Sequence, residues 1–420
     1  MPRHVILALV LISFIAVGLP PPAALAADPA SMRALSLRES LMLWKSHSHE
    51  LELARLQVEG ARFDELTAAA RPNPTLSVQS IAPLTQRDVN GNDTILGLSQ
   101  LIERGGKREL RQALAQSATR ASEQDWSEVM RTQGVTVMQA YYDLKLAQEI
   151  LAIDQGMAEL YRGSLMATSK RWKDGDVPAS AVTRLKVEVA RMENQVRQDM
   201  NSLRQAQLVL AYYLGVSWQV GVAHQATDPG PEMPPAHAPG IEERLEKRPD
   251  VRAAQERLEG ARTALELARA QLTRDVTVGV SVERHPLVAN TVGVQVSVPL
   301  FTNYQYQGEI GKAQTLLTQA QAQIAQVMSQ ARQEIAQAQS DLETAQDRLL
   351  RYENGLLADA ERAAINAEFA FHHGASSLVE LLDARRTYLT TQIEAVSARA
   401  DYAKALAAWR AALALMDDQP

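Results

Sequence analysis

Proline is distributed along this chain in a way that fixes most of its architecture. None of the 18 prolines falls in the 94 residues between Pro83 and Pro178, or in the 120 residues between Pro299 and Pro420. A proline inside a helix removes a hydrogen bond and costs roughly 3 kcal/mol, so a chain can form long helices where proline is missing. Only 5% of the residues are aromatic, while 46% are hydrophobic, which is typical of long helices packed side by side. The two intervals therefore predict very long helices.

The first 26 residues have the features of a secretory signal peptide. Arg3 precedes an apolar run from Val5 to Leu19, and Ala24-Leu25-Ala26 provides a signal peptidase site before Ala27. This run has 15 residues, fewer than the roughly 20 that a membrane-spanning helix needs. The chain has no cysteine, so we expect neither disulfides nor thiolate metal sites, and the predicted mature protein carries no lipid anchor. A net charge of −6 without a long basic run argues against nucleic acid as a partner.

Two halves of the chain repeat each other. Glu59-Gly60-Ala61-Arg62 recurs as Glu259-Gly260-Ala261-Arg262, and Gly175 corresponds to Gly374 at nearly the same offset. Such self-similarity over most of the chain indicates a duplication. The predicted organisation is a signal peptide over 1–26, a first repeat over 27–215, a proline-rich linker over 216–240, a second repeat over 241–414 and a tail over 415–420.

Each repeat is predicted to contain a helix, two strands, a much longer helix and a further helix. The first copy gives helices over 37–70, 107–172 and 177–214, with strands over 75–82 and 93–102. The second copy gives helices over 241–272, 304–372 and 377–414, with strands over 276–284 and 290–299. The combined length of the two shorter helices of a repeat matches the length of the long helix. They can therefore lie end to end beside it over about 100 Å.

The strands of the second copy alternate strictly between apolar and polar residues. Val276 to Val282 and Val292 to Val298 place valine at every second position, which gives each strand one apolar and one polar face. A two-stranded hairpin is marginally stable by itself, so these strands are expected to join others, including strands from further subunits. The following helix has apolar heptads, which predict a coiled-coil seam. These heptad columns are Leu317, Ile324, Ala331, Ala338 and Ala345, and Met328, Ile335, Leu342, Leu349 and Leu356.

These features together resemble the TolC family of outer-membrane efflux channels. The resemblance covers about 35–414 and depends on the order of the elements and on four short motifs. The motifs are Leu35-Ser36-Leu37, Arg248-Pro249-Asp250-Val251, Ser297-Val298-Pro299-Leu300-Phe301, and Leu378 to Ala384 after Gly374. Ser99 to Arg108, with the sequence SQLIERGGKR, is similar to the heavy-metal branch, the outer components of cobalt-zinc-cadmium resistance systems.

The resemblance implies a mainly α fold with a small β part. Three chains would form one 12-stranded outer-membrane β-barrel, continued by a 12-helix α-barrel in the periplasm of a Gram-negative bacterium. The implied function is a passive efflux duct in outer-membrane lipid, a homotrimer that works with a periplasmic membrane fusion (adaptor) protein and an inner-membrane RND-type pump. Neither catalysis nor a cofactor is implied. A secreted or periplasmic structural coiled-coil protein is the alternative, although it leaves the alternating strands unexplained.

The helix breaks after Gly175 and Gly374 are expected to form the periplasmic tip. Glycine permits a left-handed reversal, and Pro178 suits the first turn of the next helix. The resemblance places Glu380 and Asp383 at the narrowest part of the channel, where they would attract cations. Arg184, at the equivalent place in the first repeat, is expected to pair with a neighbouring carboxylate and hold the closed state. A solvated helix terminus is the alternative.

Three other groups of residues have simpler interpretations. Gly105-Gly106-Lys107-Arg108 lacks the spacing of a phosphate loop and predicts a strand-to-helix turn. Phe301, Tyr304 and Tyr306 suit an anchor at the membrane interface, with ordinary packing as the alternative. His372 and His373 lie beside the tip glycine and are expected to be exposed polar residues, with metal binding as the alternative, so no metal ligand is assigned.

Overall fold

The computed structural model describes residues 33–81, 93–217, 220–222, 241–285 and 289–415. The predicted signal peptide, most of the predicted linker and the last five residues lie outside this part of the chain, as does the predicted loop between the first two strands. Their interpretations stay predictions.

Both repeats have the predicted order of elements. The first repeat contains β1 (Arg33–Leu35), α1 (Leu37–His47), α2 (His49–Ala69), β2 (Thr75–Ile81), β3 (Asp93–Ile102), α3 (Lys107–Lys173), α4 (Ala179–Leu214) and β4 (Val220–Val222). Because β4 belongs to it, the repeat extends past its predicted end at 215 into the predicted linker. The second repeat contains α5 (Ile241–Lys247), α6 (Pro249–Ala270), β5 (Val276–Arg284), β6 (Thr291–Ser297), α7 (Gln307–Arg351), α8 (Leu357–His372) and α9 (Leu378–Ala412). Among the described residues, no helix is both long and apolar enough to cross a bilayer.

The first helix of each repeat is divided in two, where one continuous helix was predicted. Ser48 has an extended backbone and caps α2, because its hydroxyl accepts a hydrogen bond from the Leu51 N–H. Arg248 is extended in the same way, since the residue before a proline avoids the helical region, and Pro249 then opens α6.

A short π-helical turn interrupts the long helix of the second repeat. It covers Tyr352–Leu356 and contains Gly355, whose φ of 133° is not helical. The predicted seam is confirmed where Ala331, Ile335, Ala338, Leu342 and Leu349 are buried, whereas its other members before the turn are only half-buried. These are Leu317, Ile324, Met328 and Ala345. The prediction is wrong for the next member of the seam, Leu356, whose side chain is 49% exposed. The irregular turn changes the phase of the helix, and burial resumes at Ala360 and Ala364.

Sequence reasoning did not predict a small parallel sheet that joins the two ends of the first repeat. β1 pairs with β4, and Leu35 and Val220 are both buried there. Ser36 follows β1 and caps α1 in a capping box with Glu39. The Leu35-Ser36-Leu37 motif therefore closes a strand and opens a helix.

The remaining strands form one antiparallel sheet in the order β2-β3-β5-β6. The β3–β5 pairing joins the two repeats. Leu76, Leu98, Val280 and Val294 lie side by side across the four strands. These four side chains are all at least half exposed, so the sheet has one apolar face that no described element covers.

The Gly105-Gly106-Lys107-Arg108 segment is the predicted strand-to-helix turn. Gly105 and Gly106 both have positive φ angles, and a Cβ on Gly105 would lie 2.8 Å from Thr273. Lys107 is buried, and its Nζ lies 2.8 Å from both the Thr273 carbonyl and an Asp275 carboxylate oxygen. This turn therefore fastens the first repeat to the turn between α6 and β5 of the second.

An ionic network around two buried arginines joins the helices of the two repeats farther along their length. Glu334 on α7 accepts hydrogen bonds from Arg131 on α3, at 2.8 Å, and from Arg248, at 2.6 Å. Arg248 is completely buried, and it also donates to Asp250 and to the carbonyl of Ala412 at the end of α9. This explains the Arg248-Pro249-Asp250-Val251 motif, because its arginine satisfies a helix-end carbonyl that has no partner within α9.

Replacing Arg248 should strongly destabilise the protein. Arg248→Ala removes the buried donor shared by Asp250, Glu334 and the Ala412 carbonyl, and a buried acceptor left unsatisfied typically costs about 1–3 kcal/mol. Arg248→Lys should recover only part of that because one ammonium cannot reach every acceptor. Thermal unfolding followed by circular dichroism measures the loss.

Arg332→Ala is the matched control, because Arg332 also lies on α7 but forms an exposed ion pair with Glu242. The role of the network would be refuted if both alanine variants unfolded at the wild-type temperature.

Candidate functional site at the helical tip

Both predicted tip turns have the same hydrogen-bond geometry. After α3, Gly175 has φ 86°, and the Asp176 N–H reaches the Arg171 carbonyl at 2.9 Å. After α8, Gly374 has φ 73°, and the Ala375 N–H reaches the Ala370 carbonyl at 2.8 Å. Both are Schellman motifs with glycine in the left-handed position. The duplication therefore extends to the detail of these turns.

Pro178 differs slightly from its prediction. It is the N-cap residue of α4, with an extended backbone, rather than part of the first helical turn. Its carbonyl accepts the Ala181 N–H at 3.0 Å. The proline therefore stabilises the start of α4 from just outside the helix.

Glu380 has a structural role that the sequence prediction did not include. Its carboxylate accepts the Ser377 N–H at 3.0 Å, while the Ser377 hydroxyl accepts the Glu380 N–H at 3.2 Å. This is a capping box at the start of α9. Glu380 is nevertheless exposed, as is Asp383 one turn later. The two side chains lie on one helix face and can present charge at the tip.

Two arginines that follow Glu380 and Asp383 on α9 form hydrogen bonds and ion pairs with other helices. Arg385 is buried, donates to the Ser164 hydroxyl on α3 at 2.8 Å and lies 3.0 Å from Glu368 on α8. Arg386 lies 3.2 Å from Glu188 on α4. Sequence reasoning missed both, because their partners become neighbours only when the two repeats pack. These contacts hold α9 against the first repeat close to the tip.

Arg184 is exposed on α4. Within the described part of this single chain it has no ion-pair partner, so its pairing with a carboxylate across the tip stays a prediction. The counterpart of Glu380 in the first repeat is Ala181, which has no charge. The two repeats thus present different chemistry at equivalent places.

A pair of buried aspartates lies about 30 Å above the tip turn. Asp154 on α3 is 1% exposed, and Asp199 on α4 is 7% exposed. Burial, a hydrogen bond with Asp199 and the negative charge of Asp199 together raise the pKa of Asp154 to about 7. Gln195 donates to Asp199 Oδ1 at 2.9 Å, whereas no described donor reaches Asp199 Oδ2 or Asp154 Oδ1. The pair therefore needs a proton between its two carboxyl groups.

The remaining candidate residues show ordinary contacts. His373 Nδ1 lies 2.8 Å from the Phe369 carbonyl, and the exposed His372 lies 3.8 Å from Glu368. Phe301 and Tyr306 pack edge to face, with ring centroids 5.3 Å apart. The tip histidines do not belong to any group of three potential metal ligands among the described residues. A membrane-interface role for the aromatic rings stays a prediction.

The buried aspartates should make the folded state less stable as pH rises. The pKa of Asp154 lies above its ordinary value in the folded state, so its contribution to stability is fully present below about pH 4 and is lost as pH rises to 7, by at most about 1.4 kcal/mol per pH unit. Asp154→Asn should raise the unfolding temperature at pH 8 and flatten this dependence, because its amide can donate to Asp199. Unfolding temperatures measured from pH 5 to 8 test this.

Asp64→Asn on α2 is the control, because Asp64 is exposed. An Asp154→Asn protein that kept the wild-type pH dependence would contradict the assignment.

Comparisons with known proteins agree with this geometry. Residues 240–415 match the family described as outer membrane efflux protein. The chain is 23% identical over 363 residues to the cobalt-zinc-cadmium resistance protein CzcC of Cupriavidus metallidurans, covering 86% of this chain and 85% of that protein. Among solved structures, CusC superposes with a TM-score of 0.78 at 19% identity, covering 91% of this chain and 92% of CusC. The outer membrane protein VceC of Vibrio cholerae gives 0.72 at 21% identity, covering 90% and 95%.

The family match falls on the second repeat, and the shared fold extends over both repeats. The predicted fold class, mainly α with a small β part built from a duplicated unit, is therefore confirmed. The second repeat of this chain matches the outer membrane efflux protein family, and the chain as a whole has the fold of outer-membrane channels.

Proposed function

We propose that three copies of this chain form the outer-membrane duct of a tripartite efflux system. The observation that carries the proposal is the four-stranded sheet, which has an uncovered apolar face and two edge strands, β2 and β6, each paired on one side only within the described residues. Unpaired edges normally have to be covered or closed. Three sheets joined edge to edge make one closed barrel with the apolar face towards lipid.

The helices give the duct its length. α3 has 67 residues and so spans about 100 Å. Its neighbours are the shorter helices of its own repeat and the helices of the second repeat. A ring of three such chains continues the barrel as a helical tube that ends at the Gly175 and Gly374 turns.

The tube needs other proteins to supply substrate and energy. We propose a periplasmic adaptor protein at the exposed tip turns and an inner-membrane RND-type pump beyond it, in a Gram-negative bacterium. The similarity to a cobalt-zinc-cadmium resistance protein supports divalent heavy-metal cations as the exported substrate. The tip is consistent with cations, because Glu380 and Asp383 are exposed acids.

The mass and conductance of the detergent-extracted protein test the duct. We expect a particle of three chains that gives discrete conductance steps in a planar bilayer. A water-soluble monomer or dimer without conductance would overturn the proposal and favour the structural coiled-coil alternative.

The charged tip can be tested separately. Glu380→Gln keeps the capping box, because glutamine also serves at that position, while it removes the charge. Combined with Asp383→Asn, it should lower the cation selectivity of the reconstituted channel, since the carboxylates no longer attract cations. The measurement is the reversal potential in a salt gradient.

Glu343→Gln on α7 is the control, because it removes one exposed carboxylate far from the tip. Unchanged selectivity in the double variant would end the assignment of these acids to a gate. Arg184→Gln should ease opening if the predicted latch exists, which would appear as a larger open fraction in the same recordings.

A further inference from the structure

Three potential metal ligands meet at the outer end of the sheet, opposite the tip. His285 Nδ1 lies 3.3 Å from an Asp93 oxygen, and His285 Nε2 lies 3.5 Å from a Glu283 oxygen. One ligand atom from each residue lies within 4.8 Å of the others. Among the described residues, this is the one group of three such side chains that the fold brings together.

Strand register explains why these side chains meet. Thr94 pairs with Arg284 and Ile95 pairs with Glu283, so the next step along the ladder places Asp93 opposite His285. Side chains two apart on a strand share a face, which puts Glu283 and His285 on one side and Arg284 on the other. That shared side is the polar face, on which Ser281 and Gly279 also lie. The three ligands are therefore held by two paired strands from different repeats.

The chemistry of the group fits a transition-metal cation better than a hard cation. One imidazole nitrogen with two carboxylate oxygens is a common ligand set for zinc and related divalent ions, whereas calcium and magnesium favour oxygen alone. The three side chains are 26–37% exposed, so an ion can enter from solvent and keep water at its remaining positions. We propose that Asp93, Glu283 and His285 bind a divalent transition-metal cation of the zinc or cobalt class.

Metal binding needs a rearrangement of these side chains. The two carboxylates approach different nitrogens of the ring, and bonds of about 2.0–2.2 Å to zinc demand closer ligand atoms than those seen here. One carboxylate therefore has to change its rotamer so that both acids and one ring nitrogen share the ion. The site is complete within one chain, so it does not depend on the proposed duct.

Direct metal binding by the purified full-length protein tests the proposal. After treatment with a chelator, titration with ZnCl₂ in detergent, followed by calorimetry, should give one saturable site per chain. Zinc-edge X-ray absorption should then show nitrogen and oxygen neighbours. His285→Ala should weaken binding at least about tenfold, since even losing an outer partner of a ligand costs that much.

Glu283→Gln is the second variant, because it keeps the size and hydrogen bonding of the side chain and should weaken binding as well. His373→Ala is the matched control, an exposed histidine at the opposite end, and should bind zinc like the wild type. The proposal is overturned if the wild type shows no saturable site, or if His285→Ala and Glu283→Gln both bind like the control. Conductance without zinc is a separate readout, so failure of the duct and failure of this site can be told apart.

Discussion

One carboxylate between two arginines holds the two halves of this molecule together. Glu334 belongs to the second repeat, Arg131 to the first, and Arg248 begins the main helix that opens the second. Burial by itself raises the pKa of Glu334, but the hydrogen bonds and charges of the arginines outweigh it and keep the pKa below its usual range. Arg131 and Arg248 also donate to the last carbonyls of α9. The helices α3, α6, α7 and α9 are therefore joined by the hydrogen bonds of these two arginines. This junction, the β3–β5 pairing and the Lys107 turn together join the two repeats.

The ion pairs along the helices differ in how far their arginines are buried. Arg131 and Arg248 are buried at the junction, and Arg385, which pairs with Glu368, is buried near the tip. Arg162 with Glu193 and Arg386 with Glu188 are pairs with exposed arginines, which solvent and salt screen. The buried Asp154 and Asp199 add a proton-dependent contact between these two regions. The junction and the tip region are therefore each held by buried arginines, and the tip region has screened pairs in addition.

Sequence reasoning succeeded where the signal was local. The proline-free intervals predicted the long helices, and the alternation of apolar and polar residues predicted β5 and β6. Gly175 and Gly374 predicted the tip turns. It failed where the outcome depends on contacts between distant segments. The β1–β4 pairing, the π-helical turn at Gly355 and the burial of Asp154 against Asp199 all require knowing which elements pack together and in what register. The same holds for His285, whose partner Asp93 lies in the other repeat.

The two repeats are alike in the sheet and unlike at the tip, and this has a consequence for symmetry. Leu76, Leu98, Val280 and Val294 align across the four strands, so the hairpins of the two repeats present equivalent apolar positions. A closed ring of three chains would therefore have nearly sixfold symmetry at its membrane end. At the other end of such a ring, Glu380 and Asp383 would alternate with Ala181 and Arg184. The assembly would therefore be only threefold there, with acidic and basic sectors side by side. A partner that docked at this tip would meet two kinds of site, whereas lipid at the sheet would meet one.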